Sequence, residues 1–310
     1  MNNTVYIISG PTASGKSLIA YYLAKRIRGE IVNCDSVQLY KYMDIGSAKP
    51  SPKEMEEVKH HLYSIEDPSV NMTVADYRKL AIDTINDILA RGRTPIVCGG
   101  TGLYLNAILY DMDFGAAPDD MERRQELEEL ASERGARYMH EYLQGLDPDA
   151  ASRIHPNNTR KIIRAIEAYE HGKGIRDLSE CSLNPDYDFR FYALTMDREW
   201  LYQRINRRVS RLISDGLVDE VSGLLSMGYT EDMPSMKAIG YKEIIGFLHG
   251  EYDLFDARDL IMKNTRHYAK RQYTWLKRYD FAEWIEISKG DTIGDIVDRI
   301  LGEKRKDEYM

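Results

Sequence analysis

Apolar positions in the first hundred residues alternate between short apolar runs and longer segments with helical spacing. The segments Ser17–Ile27 and Val74–Arg91 carry apolar residues three and four positions apart, as one face of a helix does. Three short runs rich in Val, Ile or Cys each end at a turn sequence: Thr4–Ser9, Glu30–Asp35 and Arg93–Cys98. Strand, turn and helix repeated in this order predict an α/β fold with a parallel sheet and crossover helices.

The pattern changes after about residue 117. Charged segments with helical spacing follow, and no strand signature appears among them until Phe189–Met196. We therefore predict a parallel sheet core in two parts, 1–117 and 191–310, interrupted by a helical insertion domain at 118–190. Further helices are predicted at Met121–Leu143, His155–His171, Arg198–Asp215 and Asp256–Arg278, with a helix start at Pro118-Asp119-Asp120 and a frayed tail after Gly302.

Composition places the chain among globular proteins of a reducing compartment. Its 310 residues are 43% hydrophobic, and the three cysteines (Cys34, Cys98 and Cys181) are scattered, which argues against a disulfide framework or a cysteine zinc site. No run approaches about 18 apolar residues, and the start lacks the basic region of a signal peptide. We expect a cytoplasmic protein without a membrane segment.

The strongest chemical signal is a G-x-x-x-x-G-K-[ST] sequence between a predicted strand and a predicted helix. Its residues are Gly10, Pro11, Thr12, Ala13, Ser14, Gly15, Lys16 and Ser17. Backbone N–H groups of such a loop surround a phosphate, Lys16 adds positive charge, and the Ser17 hydroxyl is a candidate Mg²⁺ ligand. The sequence therefore predicts a P-loop NTPase-like core with a polyphosphate site, without identifying the polyphosphate.

Two further strand ends carry candidate residues. Asp35 follows the second strand and is either a Mg²⁺ ligand, a general base or a turn residue. Gln38 has the planar donor and acceptor that reading an adenine edge requires, although a solvated turn explains it equally well. Thr101 lies within Gly99–Gly102 after the third strand, where a tight turn is the alternative explanation. We expect all three strand-end loops to meet in one cleft.

Basic residues form three groups although the whole chain has a net charge of −8. Between Arg153 and Arg278 there are 21 Lys and Arg residues against 18 Asp and Glu. Such groups are either solvated helix faces or contacts for RNA phosphates. They comprise Arg204, Arg208 and Arg211, then Arg266 and Lys270 with interleaved aromatic residues, and Arg160, Lys161 and Arg164.

Taken together, these motifs resemble those of the tRNA dimethylallyltransferase (tRNA isopentenyltransferase) family. The resemblance runs in order over about residues 4–280 and is therefore specific. Besides the P-loop, it rests on Asp35–Tyr40, Gly46–Pro50, His60–Leu62, Gly99–Tyr104, Ala238–Glu243 and Thr265–Gln272. No C-terminal zinc finger of the eukaryotic kind follows, so the bacterial type is the closer match.

The resemblance implies transfer of a dimethylallyl group from dimethylallyl diphosphate to N6 of the adenosine 3′ of the anticodon, with release of diphosphate. Gly10–Ser17 would hold the diphosphate with Mg²⁺ at Ser17, and Asp35 would be the general base. Lys16 and Thr101 would be further catalytic residues, with Thr101 in contact with the donor or the RNA, and Lys49 would be another active-site cation. We expect the tRNA anticodon stem-loop as partner and a monomeric enzyme. The implied tRNA contacts are Asp35, Ser36, Val37, Gln38, Thr101, Arg123, Thr159, Arg160, Lys161, Ile162 and Ile163, to which the basic helices add Arg208, Arg266, Lys270 and Arg271.

Three other functions share part of these features. A small-molecule P-loop kinase explains Gly10–Ser17 but gives the basic helices and the insertion no purpose. An adenylate isopentenyltransferase acting on free AMP has no need of three basic clusters. An RNA-binding NTPase switch is the non-enzymatic alternative.

Overall fold

The structure is a computed structural model that describes residues 3–111, 121–172 and 180–302. The predicted helix start at 118–120 and the tail after Gly302 lie outside these residues. Six strands are β1 (Thr4–Ser9), β2 (Gly29–Cys34), β3 (His60–His61), β4 (Thr94–Gly99), β5 (Asp188–Met196) and β6 (Glu283–Ile287). The helices are α1 (Lys16–Ile27), α2 (Pro52–Glu57), α3 (Val74–Ala90), α4 (Gly102–Leu109), α5 (Met121–Leu146), α6 (Pro148–Arg153), α7 (Thr159–Glu170), α8 (Arg198–Ser214), α9 (Leu217–Ser226), α10 (Tyr241–Leu248), α11 (Leu254–Leu276) and α12 (Ile293–Leu301).

The strands form one all-parallel sheet in the order β3-β2-β4-β1-β5-β6. The predicted α/β class is confirmed. Val5, Ile7 and Ile8 of β1 are fully buried, as a central strand covered on both faces requires. Ser9 pairs with Gly99, and Gly99 pairs with Cys34, so three strands end level. Their following loops therefore leave the same edge of the sheet.

Two strands lie outside the sequence prediction. β3 contains only two residues, and besides its backbone pairing with β2 a hydrogen bond joins His61 Nε2 to Glu30 Oε2 at 2.7 Å. Arg91 also binds Glu30, with one nitrogen at 2.8 Å, and this guanidinium lowers the pKa of the Glu30 carboxyl to about 2. β6 is an edge strand in which the exposed Trp284 and Glu286 alternate with the buried Ile285 and Ile287.

The chain divides into two compact units, one of residues 1–109 and 184–310 and the other of residues 110–183. These limits differ from the predicted insertion, 118–190. Residues 184–190 belong to the first unit because β5 begins at Asp188 and the Asn184 N–H donates to the Leu109 carbonyl at 2.8 Å.

The second unit has its own small apolar core. Leu127, Met139 and Leu143 of α5 pack against Ile162 and Ile166 of α7, all of them fully buried. Gly135, with φ of 82°, interrupts the helical geometry of α5. In the described part of either unit, no helix is long and apolar enough to cross a bilayer.

Candidate active site

The loop after β1 closes onto the amino end of α1. Gly15 is the N-cap residue with φ of 96°, a left-handed conformation that favours glycine. No side chain caps the helix there, so the first backbone N–H groups of α1 can bind an anion. Ala13 also has a positive φ, 65°, which is strained for a residue with a Cβ.

An unsatisfied hydroxyl lies in the same loop. Ser14 is 2% exposed, and its Oγ is one of two buried side-chain polar atoms in the described ranges without a hydrogen-bond partner. A buried hydroxyl usually has a partner, so the orphan fits a loop built around a ligand oxygen.

The loops after β1 and β2 and the last residues of β4 line one pocket, whereas Thr101 of the third predicted loop is not among the lining residues. Burial lowers the pKa of the Lys16 ammonium, and the Asp35 carboxylate opposes that shift. An anion site and a carboxylate therefore share one small volume. The pocket is lined by Thr12, Lys16 and Ser17 after β1, by Asp35 and Gln38 after β2, by Cys98 and Gly99 at the end of β4, and by Ala48, Arg208, Tyr268 and Gln272.

Asp35 is held by a short network at the end of β2. Its Oδ1 accepts the Val37 N–H at 3.0 Å, and its own N–H donates to Asn33 Oδ1 at 2.9 Å. The Asn33 amide in turn donates to the Asp35 carbonyl at 3.0 Å. The turn therefore uses Oδ1 and leaves Oδ2 for a proton or a metal ion.

Thr101 connects two of the loops. Its N–H donates to the Cys34 carbonyl at 3.2 Å, and its Oγ1 accepts the Ser36 N–H at 3.1 Å. The Tyr268 hydroxyl also hydrogen-bonds Thr101, while burial raises the pKa of Tyr268. Thr101 thereby fixes the second loop beside the third.

Close packing, rather than an unusual turn, explains the glycines around Thr101. A Cβ on Gly100 would lie 2.2 Å from the Gln272 Nε2, and one on Gly102 would lie 2.4 Å from the Trp275 ring. Both neighbours belong to α11. The glycines therefore allow α11 to press against the loop after β4.

Gln38 and Lys49 have partners that the sequence did not indicate. The Gln38 amide nitrogen donates to the Ser47 carbonyl at 3.0 Å and the Ala48 carbonyl at 3.2 Å. Gln38 lines the pocket, and because its amide nitrogen makes both of these bonds, the side chain offers a base an acceptor and no spare donor. Lys49 is not among the residues that line the pocket, and its ammonium binds the Tyr40 carbonyl, Asp44 and Ser64, so its role as an active-site cation stays a prediction.

The three arginines on one face of α8, Arg204, Arg208 and Arg211, have different surroundings. Arg208 lines the pocket, where burial lowers the pKa of its guanidinium and Asp35 opposes that shift. Arg204 Nε donates to the Ala13 carbonyl at 2.8 Å. Of the three predicted RNA contacts on this face, only Arg211 is exposed. Arg208 therefore lies beside the P-loop residues Lys16 and Ser17, and its contact with tRNA phosphates stays a prediction.

Two of the basic residues predicted to contact RNA from α11 are exposed. Lys270 and Arg271 are exposed, and the Arg271 guanidinium lies 5.7 Å from the centre of the Tyr268 ring. Arg266 is half-buried and donates to Asn206 Oδ1 at 2.8 Å. Lys270 and Arg271 are therefore available to an RNA backbone.

The remaining predicted tRNA contacts lie in the second unit. Ile162 and Ile163 are buried in that unit's core, so their side chains do not present an RNA surface, which corrects the expectation. Arg160 and Lys161 beside them are exposed, and Thr159 at the start of α7 is half-buried. Arg123 forms ion pairs with Glu126 and Glu170, each at 2.7 Å.

The sequence interpretation missed Gln272 and Tyr268 as pocket residues. It assigned their helix to RNA through Arg266 and Lys270, which share one face. Tyr268 and Gln272 are also four residues apart and define a second face. An aromatic residue and an amide at this spacing inside a basic helix were the available signal.

The donor set suits a magnesium ion bound partly by substrate. The Ser17 hydroxyl and the Asp35 carboxylate line the same pocket. No group of three or more His, Cys, Asp or Glu ligands occurs within the described ranges. Mg²⁺ commonly takes one or two protein oxygens, phosphate oxygens and water, which these residues fit.

Comparison with known proteins identifies the family. The IPP transferase family matches residues 38–279. The chain is 46% identical over 303 residues to tRNA dimethylallyltransferase of Alkaliphilus oremlandii, covering 97% of both chains, and 48% identical over 288 residues to that of a Thermoanaerobacter species, covering 91% of both.

Solved structures of related enzymes point to the same family. The full-length tRNA isopentenylpyrophosphate transferase of Bacillus halodurans is 41% identical, with a TM-score of 0.71 and coverage of 97% of this chain and 96% of that one. A eukaryotic dimethylallyltransferase acting on tRNA is 26% identical, with a TM-score of 0.82 and coverage of 99% and 82%. This chain therefore belongs to the IPP transferase family.

Proposed function

We propose that the chain transfers a dimethylallyl group from dimethylallyl diphosphate to N6 of the adenosine 3′ of the anticodon in tRNA. One observation carries the proposal: the anion-binding P-loop and the Asp35 carboxylate line a single pocket. A leaving diphosphate and an amine that must lose a proton need these two groups close together.

The P-loop residues Gly10–Ser17 bind the diphosphate of the donor. Backbone N–H groups at the start of α1, the Lys16 ammonium and the Arg208 guanidinium surround that position. Negative charge grows on the diphosphate as the C–O bond breaks. Fixed donors and cations in a buried site stabilise this charge more than water does.

Asp35 acts as the general base. An exocyclic adenine amine is a weak nucleophile, so removal of its proton as the C–N bond forms lowers the barrier. The Asp35 Oδ2 receives that proton, while the Val37 N–H holds Oδ1. Thr101 positions the neighbouring loop through Ser36. The Gln38 oxygen is an acceptor for the adenine amino group.

Ser17 would hold Mg²⁺ together with diphosphate oxygens, beside the Asp35 carboxylate that serves as the base. A bound Mg²⁺ supplies further charge neutralisation for the leaving group. The chain's own contribution is to place one hydroxyl and one carboxylate beside the Lys16 pocket.

The RNA contacts follow from exposed basic residues. Lys270 and Arg271 on α11 and Arg160 and Lys161 on α7 are available to phosphates of the anticodon stem-loop. The target adenine must leave the stacked bases of the anticodon loop to reach a buried pocket. We further propose that the enzyme acts as a monomer.

One incubation separates this proposal from its rivals. The protein receives radiolabelled dimethylallyl diphosphate, AMP and an unmodified anticodon stem-loop, with ATP hydrolysis followed in parallel. We expect label in the RNA at the adenosine 3′ of the anticodon. Label in AMP, or ATP hydrolysis without transfer, would reject the proposal.

A further inference from the structure

The side-chain amide of Gln272 lies between the loop after β1 and the loop after β4. The residue is 4% exposed. Its Oε1 accepts the Thr12 N–H at 2.8 Å, and its Nε2 donates to the Gly100 carbonyl at 3.1 Å. Only a side chain with both an acceptor and a donor at this spacing can make the two bonds at once. The bridge therefore depends on the amide.

The bridge continues a connection that begins in the sheet. Ser9 and Gly99 are paired at the ends of β1 and β4, and the Ser9 hydroxyl donates to the Gly99 carbonyl at 2.8 Å. Beyond these residues the two loops leave the sheet. Gln272 joins them there, whereas Thr101 joins the β4 loop to the β2 loop.

A second helix, α8, also binds the backbone of the loop after β1. Gln272 on α11 binds the Thr12 N–H, and Arg204 on α8 binds the Ala13 carbonyl. These contacts stand on both sides of the strained left-handed Ala13. Such a backbone conformation persists when neighbouring groups hold it in place.

We propose that Gln272 is a positioning residue that fixes the diphosphate-binding loop relative to the loop that carries Thr101. The inference rests on the proposed function in that the P-loop holds the diphosphate. Loss of the amide frees the loop around Ala13, and binding of diphosphate must then order it again. That ordering weakens the affinity for the anion without changing the RNA surface.

The test replaces Gln272 by Met, which keeps the length of the side chain and removes both polar atoms. Gln203→Met, at an exposed position of α8, makes the same exchange away from the pocket. Calorimetry measures the affinity for inorganic pyrophosphate with Mg²⁺. Steady-state transfer gives the KM for dimethylallyl diphosphate and for the stem-loop.

We expect Gln272→Met to bind pyrophosphate about tenfold more weakly and to raise the KM for dimethylallyl diphosphate by a similar factor. The KM for the stem-loop should stay within about twofold. Gln203→Met should match the wild type in all three measurements. A folded Gln272→Met protein with unchanged pyrophosphate affinity and a lower kcat or Tm would overturn the inference, since Gln272 would then only support the fold.

Gly100→Ala disturbs the same contact from its other side, because the new Cβ would meet the Gln272 Nε2. It should weaken pyrophosphate binding in the same direction, and it decides the matter if Gln272→Met does not fold. A wild-type protein that binds pyrophosphate but transfers no dimethylallyl group would reject the proposed function. The pyrophosphate comparison would still test Gln272.

Discussion

Replacement of Arg208 by Gln and replacement of Arg271 by Gln should impair different steps, binding of the donor in the first variant and binding of tRNA in the second. Arg208 lies in the pocket with Lys16, whereas Arg271 is exposed on α11. Arg208→Gln should raise the KM for dimethylallyl diphosphate, because a cation beside the leaving group is lost. Arg271→Gln should weaken tRNA binding, because an RNA phosphate loses its partner.

The structure sets the size of each effect. A hydrogen bond to a charged group contributes about 1.5–3 kcal/mol, which corresponds to roughly a 10- to 150-fold rise in KM for Arg208→Gln. The upper part of this range is expected, since the guanidinium is desolvated enough to lower its pKa. Loss of one phosphate contact in Arg271→Gln should reduce the slope of log affinity against log salt by about 1.

Two assays separate the variants. Transfer of radiolabel to an anticodon stem-loop gives the KM for each substrate, and filter binding at several salt concentrations gives the slope. Arg207→Gln changes an exposed neighbour on the same helix and controls for loss of charge on α8. If Arg208→Gln kept the wild-type KM for the donor but lost salt dependence, Arg208 would be an RNA contact and our placement of it would be refuted.

Three further changes probe the base, the sheet and the α11 contact. Asp35→Asn should lower single-turnover transfer by about 10²- to 10⁴-fold with tRNA affinity unchanged, and a comparable loss of affinity would contradict a role as base. Glu30 has a folded pKa depressed to about 2, so its ion pairs stabilise the fold above the unfolded pKa of about 4.3 and lose that effect as pH falls toward 2. Urea unfolding of Glu30→Gln should therefore show a deficit of about 1–3 kcal/mol at pH 7 that narrows at pH 3, and a deficit independent of pH would exclude this cause. Gly102→Ala should lower the free energy of unfolding in urea by about 1–3 kcal/mol, because the new Cβ would clash with the Trp275 indole ring. Gly145→Ala lies in a helix with open space around it and should be neutral or stabilising. Equal effects of the two changes would argue against the packing explanation.

The parts of the fold with strong local signals were predictable. β1, β2 and β4 are short segments rich in β-branched and apolar residues. The P-loop motif between β1 and α1 specifies both its ligand class and its position in the sheet. β3 was not predictable, because two residues carry no periodicity and the strand depends on the distant Glu30. Local pattern also cannot show which side of a helix faces a pocket.

The pocket illustrates that limit. Asp35 and Lys16 follow strand ends, so parallel topology alone brings them together. Arg208 and Gln272 come from helices about 190 and 260 residues after the P-loop, and their direction depends on how α8 and α11 pack. Charge on these helices suggested RNA, while the structure divides it between the pocket and the surface.

The position of β1 in the sheet has a consequence for biosynthesis. β1 pairs with β4 on one side and with β5 on the other, and Thr4 is paired with Asp188. At roughly 5–20 residues per second, a ribosome needs about 10–40 seconds to make the chain between them. During that time the open edge of this buried strand is available to wrong partners. The intervening helical unit has a core of its own and can fold in this interval, which shortens the distance that β5 must search when it emerges.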